Sequence, residues 1–329
     1  MKIKLHSPLD MHLHLREAEM LGLVAPLSAK TFAGAVVMPN LISPVDSLQK
    51  LKEYRKAITA ACGNERFEPY MTLFFCPYSR MELAEAKEHI IGVKLYPAGI
   101  TTQSEKGVKD FKSIEETLEI MEELNIPLLV HGESNGFVMD REREFLSVYH
   151  DIAGNFPDLH IIMEHITTAA AVQFLEKHDN VSATVTLHHL MITLDDVVGD
   201  LMQPDLFCKP IAKTPADLQA LRQAVFGGNR KIMFGSDSAP HPRHRKECVG
   251  CAAGVFSSPV ALPLLVQIFE EEDCLDKLQS FVSGNAQQRY GITPPEKTIT
   301  LSSTPWQVPA TYGDVRPFYA EKQLRWSVC

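Results

Sequence analysis

Long apolar runs are missing from this chain. No stretch approaches the ~20 residues of a membrane-spanning helix. Blocks of basic residues are missing too, and the formal net charge is -9. Nucleic acid and anionic membrane are therefore not expected as partners. The opening MKIKLHSPLDMH lacks the apolar core of a secretory signal, so a cytoplasmic location is expected. Disulfide framework spacing is absent. The cysteines number seven, an odd count, scattered from Cys62 to Cys329, which suits reduced thiols. There are no repeats, no low-complexity linkers, and no Gly-rich dinucleotide loop after the first strand. What remains is 329 residues, 45% hydrophobic, enough for one large α/β domain spanning residues 1–329. The thirteen histidines are what such a composition leaves unexplained.

Short runs rich in Val, Ile, Leu, Phe and Thr recur between amphipathic stretches. They predict strands near 5–14, 34–40, 70–76, 92–96, 127–134, 160–167, 181–186 and 231–238. Helical periodicity lies between most of them, at 46–62, 80–89, 113–124, 136–155, 168–178 and 215–226. A helix near 17–30 is less clear, because Pro26 interrupts it. Two or three more helices are expected within 259–289. Eight strands alternating with helices form the pattern of a (β/α)8 TIM barrel; a doubly wound open sheet is the rival. The tail, 298–329, carries Trp306, Tyr312, Phe318, Tyr319 and Trp326 at irregular spacing. It reads as an irregular C-terminal strap against the barrel, or as an oligomer contact.

Polar residues gather at the strand ends. The first strand ends in His12, His14 and Arg16, and the second in Asn40. The fourth carries Lys94, the fifth ends in His131 and the sixth in His165. The eighth ends in Asp237, with His241 just beyond. In a parallel barrel these C-terminal ends converge on the face where chemistry is placed. Residues i, i+2 and i+4 of a strand share a side, so His12, His14 and Arg16 can all turn to the mouth. Imidazole is the commonest neutral metal ligand, and two on one strand make a chelating pair. Hydrogen-bonded core histidines are the plain alternative. Together with His131, His165 and Asp237 the ligand reading is favoured, and there are more ligands than one catalytic zinc takes.

Lys94 sits inward in an apolar strand. An ammonium there is costly, whereas a neutral amine can add carbon dioxide and become an anionic carbamate able to bridge two zinc ions. A salt-bridged lysine and a Schiff-base lysine remain alternatives. For Arg16 the choice lies between a substrate carboxylate and a surface salt bridge. Glu133 and Glu164 flank ligand candidates, either fixing histidine tautomers or forming ordinary barrel-end salt bridges.

Six segments, HLHLR (12–16), MPN (38–40), GVKLYPAGITT (92–102), HGE (131–133), EHITT (164–168) and GSDSAPHPRHRKE (235–247), together resemble the dihydroorotase family. The chain is similar to its shorter single-domain bacterial type, within the amidohydrolase superfamily, from about residue 5 to about 290. The resemblance implies two zinc ions: one on His12, His14 and Asp237, the other on His131 and His165. N-carboxylated Lys94 and a hydroxide would bridge them. It implies reversible cyclisation of N-carbamoyl-L-aspartate to L-dihydroorotate, a step of pyrimidine biosynthesis, with Asp237 as ligand and proton shuttle. Arg16, Asn40 and His241 would hold the substrate carboxylate. Thr101 and Thr102 would close a loop over it, and Ala253 and Lys209 would offer backbone contacts. A homodimer is the implied assembly. Hydantoinases and allantoinases share the H-x-H barrel but usually carry an extra β domain, for which there is no room before His12.

Two rivals follow: another cyclic amidase for neutral rings, which needs no carboxylate clamp, and a barrel that has lost catalysis and serves as a partner in an assembly. A competing motif also stands out. His241, His244, Cys248 and Cys251 form H-x-x-H-x-x-x-C-x-x-C, which read alone suits a structural zinc.

Overall fold

The computed structural model describes residues 1–101, 103–108 and 111–329. Among them, eight parallel strands follow one another around a TIM barrel: β2 (Leu9–Leu13), β3 (Gly34–Val37), β4 (Glu68–Phe74), β5 (Gly92–Leu95), β6 (Leu128–Val130), β7 (Ile161–Met163), β8 (Val181–Val185) and β9 (Ile232–Phe234). The last meets the first through Asp237 N–H to His12 O (2.8 Å) and His14 N–H to Ser238 O (3.2 Å). Helices return between the strands, and among the described residues none is long and apolar enough to cross a membrane.

The sequence predicts one strand over 5–14. The structure has two. β1 (Lys2–His6) pairs antiparallel with β10 (Thr298–Ser302), while β2 enters the barrel. Ser7, at φ 44°, and Pro8 break the run, since proline cannot donate to a ladder. The helix interrupted by Pro26 is continuous, Ala18–Thr31. Its Leu21, Val24, Ala25, Ser28 and Ala29 are buried, and this packing outweighs the missing N–H. The tail is ordered. β10 also pairs with β11 (Ser327–Val328), and buried Trp326 donates its indole N–H to Glu270 (3.0 Å).

Apolar side chains form two layers. Outward strand residues such as Val93, Leu95, Leu128 and Val130 pack on the helices. Leu9, Met11, Val36, Met38, Leu129, Ile162 and Met233 fill the lower lumen, and so make a floor for whatever lies above. Parity along the strands then dictates what faces the mouth: Lys94, His131 two beyond Leu129, and Asp237 four beyond Met233.

Candidate active site

β2 departs from strict parity. Leu9 and Met11 belong to the lumen floor, yet His12 and His14 line the cavity above it. The register against β3 shifts between Asp10 and Leu13, and this bulge swaps the faces. Asp10 fixes it, accepting from Ser236 N–H (2.7 Å), Ser236 Oγ (2.5 Å) and His12 N–H (3.2 Å). Gly235 lets the strands approach here, because a Cβ would stand 2.9 Å from both His12 Cβ and Thr184 Cβ.

At two other exits a left-handed residue turns the chain inward, His165 at φ 39° and Asp237 at φ 44°; Arg16 is left-handed as well, at φ 58°. Such conformations strain residues with a Cβ and concentrate at functional sites.

The cavity is lined by His12, His14, Arg16, Asn40, Tyr96, Thr101, His131, His165, Lys209, Asp237, Ala239, Ala253 and Gly254. Most of the residues singled out in the sequence thus meet in one place. Lys94 lies wholly buried beneath it, with Nζ 5.0 Å from the centre of the Tyr96 ring. Thr102 is outside the described residues. Tyr96 has no charge or ligand spacing to flag it in the sequence.

Two groups of candidate ligand atoms line this space. In one, His14 Nε2 is 3.0 Å and His12 Nε2 3.5 Å from Asp237 Oδ1. In the other, His131 Nδ1 is 3.1 Å from His165 Nε2. Carboxylates hold the outer nitrogens: Glu164 accepts from His12 Nδ1 (2.7 Å) and Glu133 from His131 Nε2 (2.8 Å). Both glutamates thus bond histidines inside the barrel mouth, an arrangement of the kind that fixes tautomers in metal sites.

Electrostatics agree with a metal site. Burial, then the charges of Arg16 and Lys94, hold His14 well below its ordinary pKa. Burial, then His131 and His12, do the same to His165. Both rings are neutral and offer lone pairs. Burial lowers Lys94 to about 8, against the pull of Glu164 and Asp237. Burial raises Asp237, and His12 and His131 oppose it. Among the described residues, Lys94 Nζ, His165 Nδ1 and Glu164 Oε1 are buried without a hydrogen-bond partner. Converging neutral imidazoles, a carboxylate and an unpaired, easily neutralised amine fit a centre for two divalent ions.

At the mouth, Arg16 donates to Pro240 O (3.1 Å) and to His241 Nε2 (3.0 Å). The same His241 nitrogen lies 3.0 Å from Ala253 O, so the ring serves one partner at a time, depending on tautomer. Burial, then Arg16, push His241 down to about 3, which keeps it neutral. The Lys209 side chain, and not only its backbone, matters: Nζ donates to Ile100 O (2.6 Å) and ties down the loop bearing Thr101.

The competing zinc motif does not assemble. His241 is engaged with Arg16, exposed His244 lies 3.5 Å from Asp314, and Cys248 is exposed. The loop is held otherwise. Arg243 pairs with Glu247 (2.7 Å), and Lys246 is buried, donating to Phe207 O (3.0 Å), Ala252 O (2.8 Å) and Gly254 O (2.8 Å).

Known proteins place the chain. A family model described as Amidohydrolase family matches residues 9–293. A dihydroorotase of Helicobacter hepaticus is 45% identical over 99% of this chain and 97% of that protein. The crystal structure of a dihydroorotase from Campylobacter jejuni superposes with a TM-score of 0.96 at 51% identity, over 99% of this chain and 97% of that one. An L-hydantoinase from Arthrobacter aurescens shares the fold alone, with a TM-score of 0.82, 17% identity, and 99% and 83% coverage. The chain belongs to the amidohydrolase family and, within it, to the dihydroorotases.

Proposed function

We propose that this chain, a single catalytic unit over residues 1–329, interconverts N-carbamoyl-L-aspartate and L-dihydroorotate in this cavity. The observation that carries the reading is the convergence of His12, His14 and Asp237 on one point beside the Arg16 guanidinium. His12, His14 and Asp237 would hold one zinc, His131 and His165 the other, and carboxylated Lys94 would bridge them. Bound zinc supplies acidified water and polarisation of the ring carbonyl.

The remaining work belongs to the chain. In the hydrolytic direction the ring C–N bond breaks and one water is consumed. Asp237 takes the proton of that water and delivers it to the departing nitrogen; in cyclisation it takes the ureido proton. Burial raises the Asp237 carboxyl in the metal-free site, and a metal on the same group would draw it back down, so its place beside metal and substrate is what suits the base role. Arg16 presents a planar fork to the carboxylate that both substrate and product keep. His241 releases Arg16 to that carboxylate and turns to Ala253 O. Asn40, whose hydrogen bond supports His14, adds a donor. Thr101, Lys209 and Ala253 line the pocket, the floor of Leu129, Ile162 and Met233 excludes water from below, and Thr102 would join Thr101 in covering the substrate, as the resemblance implies. A cytoplasmic homodimer is the proposed setting.

The test is an assay in both directions, before and after chelation, with zinc and bicarbonate restored. Turnover lost and regained supports the reading. Zinc-loaded protein inert on both compounds but active on hydantoin would overturn it. Asp237→Asn should keep most of its metal and lose 10²- to 10⁴-fold in kcat, the range of general acid–base contributions. An active Asp237→Asn enzyme refutes the proton shuttle.

A further inference from the structure

A second cluster of metal-binding side chains lies outside the cavity. His188, His189 and Cys208 each present one ligand atom, all within 4.8 Å of one another. All three are buried, at 0%, 2% and 1% exposure. His188 and His189 open the helical turn after β8, and Cys208 precedes Lys209. None of the three lines the cavity.

Hydrogen bonding accounts for two of them. His189 Nδ1 is 2.9 Å from Thr186 Oγ1 and Nε2 is 3.0 Å from Pro210 O, while the Cys208 thiol donates to Pro210 O (3.2 Å). His188 is different. Both its ring nitrogens are buried with no hydrogen-bond partner among the described residues. A neutral imidazole has one donor and one acceptor, and each unpaired polar group in a dry interior costs about 1–3 kcal/mol. Nothing in the catalytic reading uses this ring.

The spacing indicates the ligand. Cys208 Sγ lies 3.5 Å from His189 Nε2. Bonds of ~2.3 Å to sulfur and ~2.0 Å to nitrogen, at the tetrahedral angle, separate the two atoms by about 3.5 Å. His188 offers its ligand atom within 4.8 Å of both.

We propose that His188, His189 and Cys208 form a separate, structural site for a thiolate-accepting divalent ion of the zinc class. On binding, the thiol proton is released to solvent and a sulfur–metal bond forms. The His189 tautomer with Nδ1–H donating to Thr186 frees Nε2 for the metal. The Pro210 carbonyl, already close to both His189 and Cys208, is the fourth ligand at hand. The site would fasten the Cys208–Pro210 segment to the end of β8. Lys209 of that segment reaches the cavity, and Phe207 O accepts from Gly254 N–H (2.9 Å), so the fastening bears on the cavity wall.

Cobalt substitution of the full-length protein tests this. A thiolate-to-cobalt charge-transfer band is expected, which His12, His14, Lys94, His131, His165 and Asp237 cannot produce. The band should persist in the Cys248→Ser/Cys251→Ser double variant. It should vanish in Cys208→Ser, with the loss of one metal equivalent by elemental analysis. His188→Gln, which keeps the thiol, should weaken cobalt retention in this band at least tenfold and serves as the second variant if Cys208→Ser does not fold. No band in the wild type overturns the proposal, as does a band that survives Cys208→Ser or cobalt retention unchanged in His188→Gln.

Discussion

Glu164 is the place where the metal reading can be tested by degrees. Its side chain is inaccessible to solvent, and Oε2 accepts from His12 Nδ1 (2.7 Å) and Thr184 Oγ1 (2.6 Å). A hydrogen bond to a charged group contributes about 1.5–3 kcal/mol, and a neutral one about 0.5–1.5. Glu164→Gln can keep its oxygen in place as a neutral acceptor, so it forfeits the difference, about 1–1.5 kcal/mol. At 1.4 kcal/mol per factor of ten, that is roughly a tenfold loss in zinc affinity. Glu164→Ala removes the acceptor altogether and frees the His12 ring to rotate, a loss of about 2–3 kcal/mol or roughly a hundredfold. Competition against a chromophoric chelator reads both, on protein whose fold is checked by circular dichroism. Wild type, Gln and Ala with affinities within twofold of one another would refute the claim that Glu164 sets the His12 tautomer for a metal.

Three further outcomes are expected. Arg16→Gln should raise KM for both acyclic and cyclic substrates about 10- to 100-fold, the magnitude of a lost charge-assisted pair, and leave zinc content unchanged; unchanged KM would return Arg16 to the role of a salt bridge. Lys246→Met takes the donor from the carbonyls of Ala252 and Gly254 and one of two donors from Phe207 O, and should destabilise the protein by about 2–4 kcal/mol in urea unfolding. Bicarbonate-dependent reactivation of stripped enzyme should rise with pH to a midpoint near the Lys94 value of about 8, because only the neutral amine adds carbon dioxide. A midpoint near the ordinary lysine value would show that burial does not prepare Lys94.

What could be read in the sequence was whatever depends on period and order. Alternation located the strands, and the TIM barrel brought their C-terminal residues together, so His131, His165 and Asp237 could be singled out before any geometry. What stayed hidden depends on departures from period. The bulge between Asp10 and Leu13 is why Leu9 and Met11 can be floor while His12 and His14 are site. The left-handed His165 is why Glu164 and His165, adjacent in sequence, both serve the same centre. Buried Lys246 defeated sequence reading because three backbone carbonyls, which no side-chain pattern reveals, replace its solvent shell. His188 and Cys208 are far apart in the chain and meet through the packing of two loops.

Charge balance explains why a lysine, rather than a fifth histidine or a second aspartate, stands at position 94. The proposed zinc pair brings four positive charges into a space walled by Asp237, Glu133 and Glu164, each buried. An ammonium at Lys94 would add a fifth positive charge and leave the centre two in excess, in a medium where uncompensated charge is expensive. Counting the protein groups alone, a neutral amine leaves one excess positive charge and a carbamate leaves none, and the shared hydroxide then makes the loaded centre one negative. A permanent carboxylate there would balance the loaded centre equally well, but before zinc arrives it would crowd a fourth anion against Asp237 and Glu164. Lys94 avoids both problems. Its charge interacts favourably with Glu164 and Asp237 while the site is unloaded, and burial has already brought its pKa to about 8, within reach of neutrality. Arg16 then stands outside this balance, with its positive charge uncommitted to the metals and available to a carboxylate on the substrate. A neutral ring would leave its charge half-buried and unmatched, and that is the physical basis for preferring dihydroorotate over hydantoin.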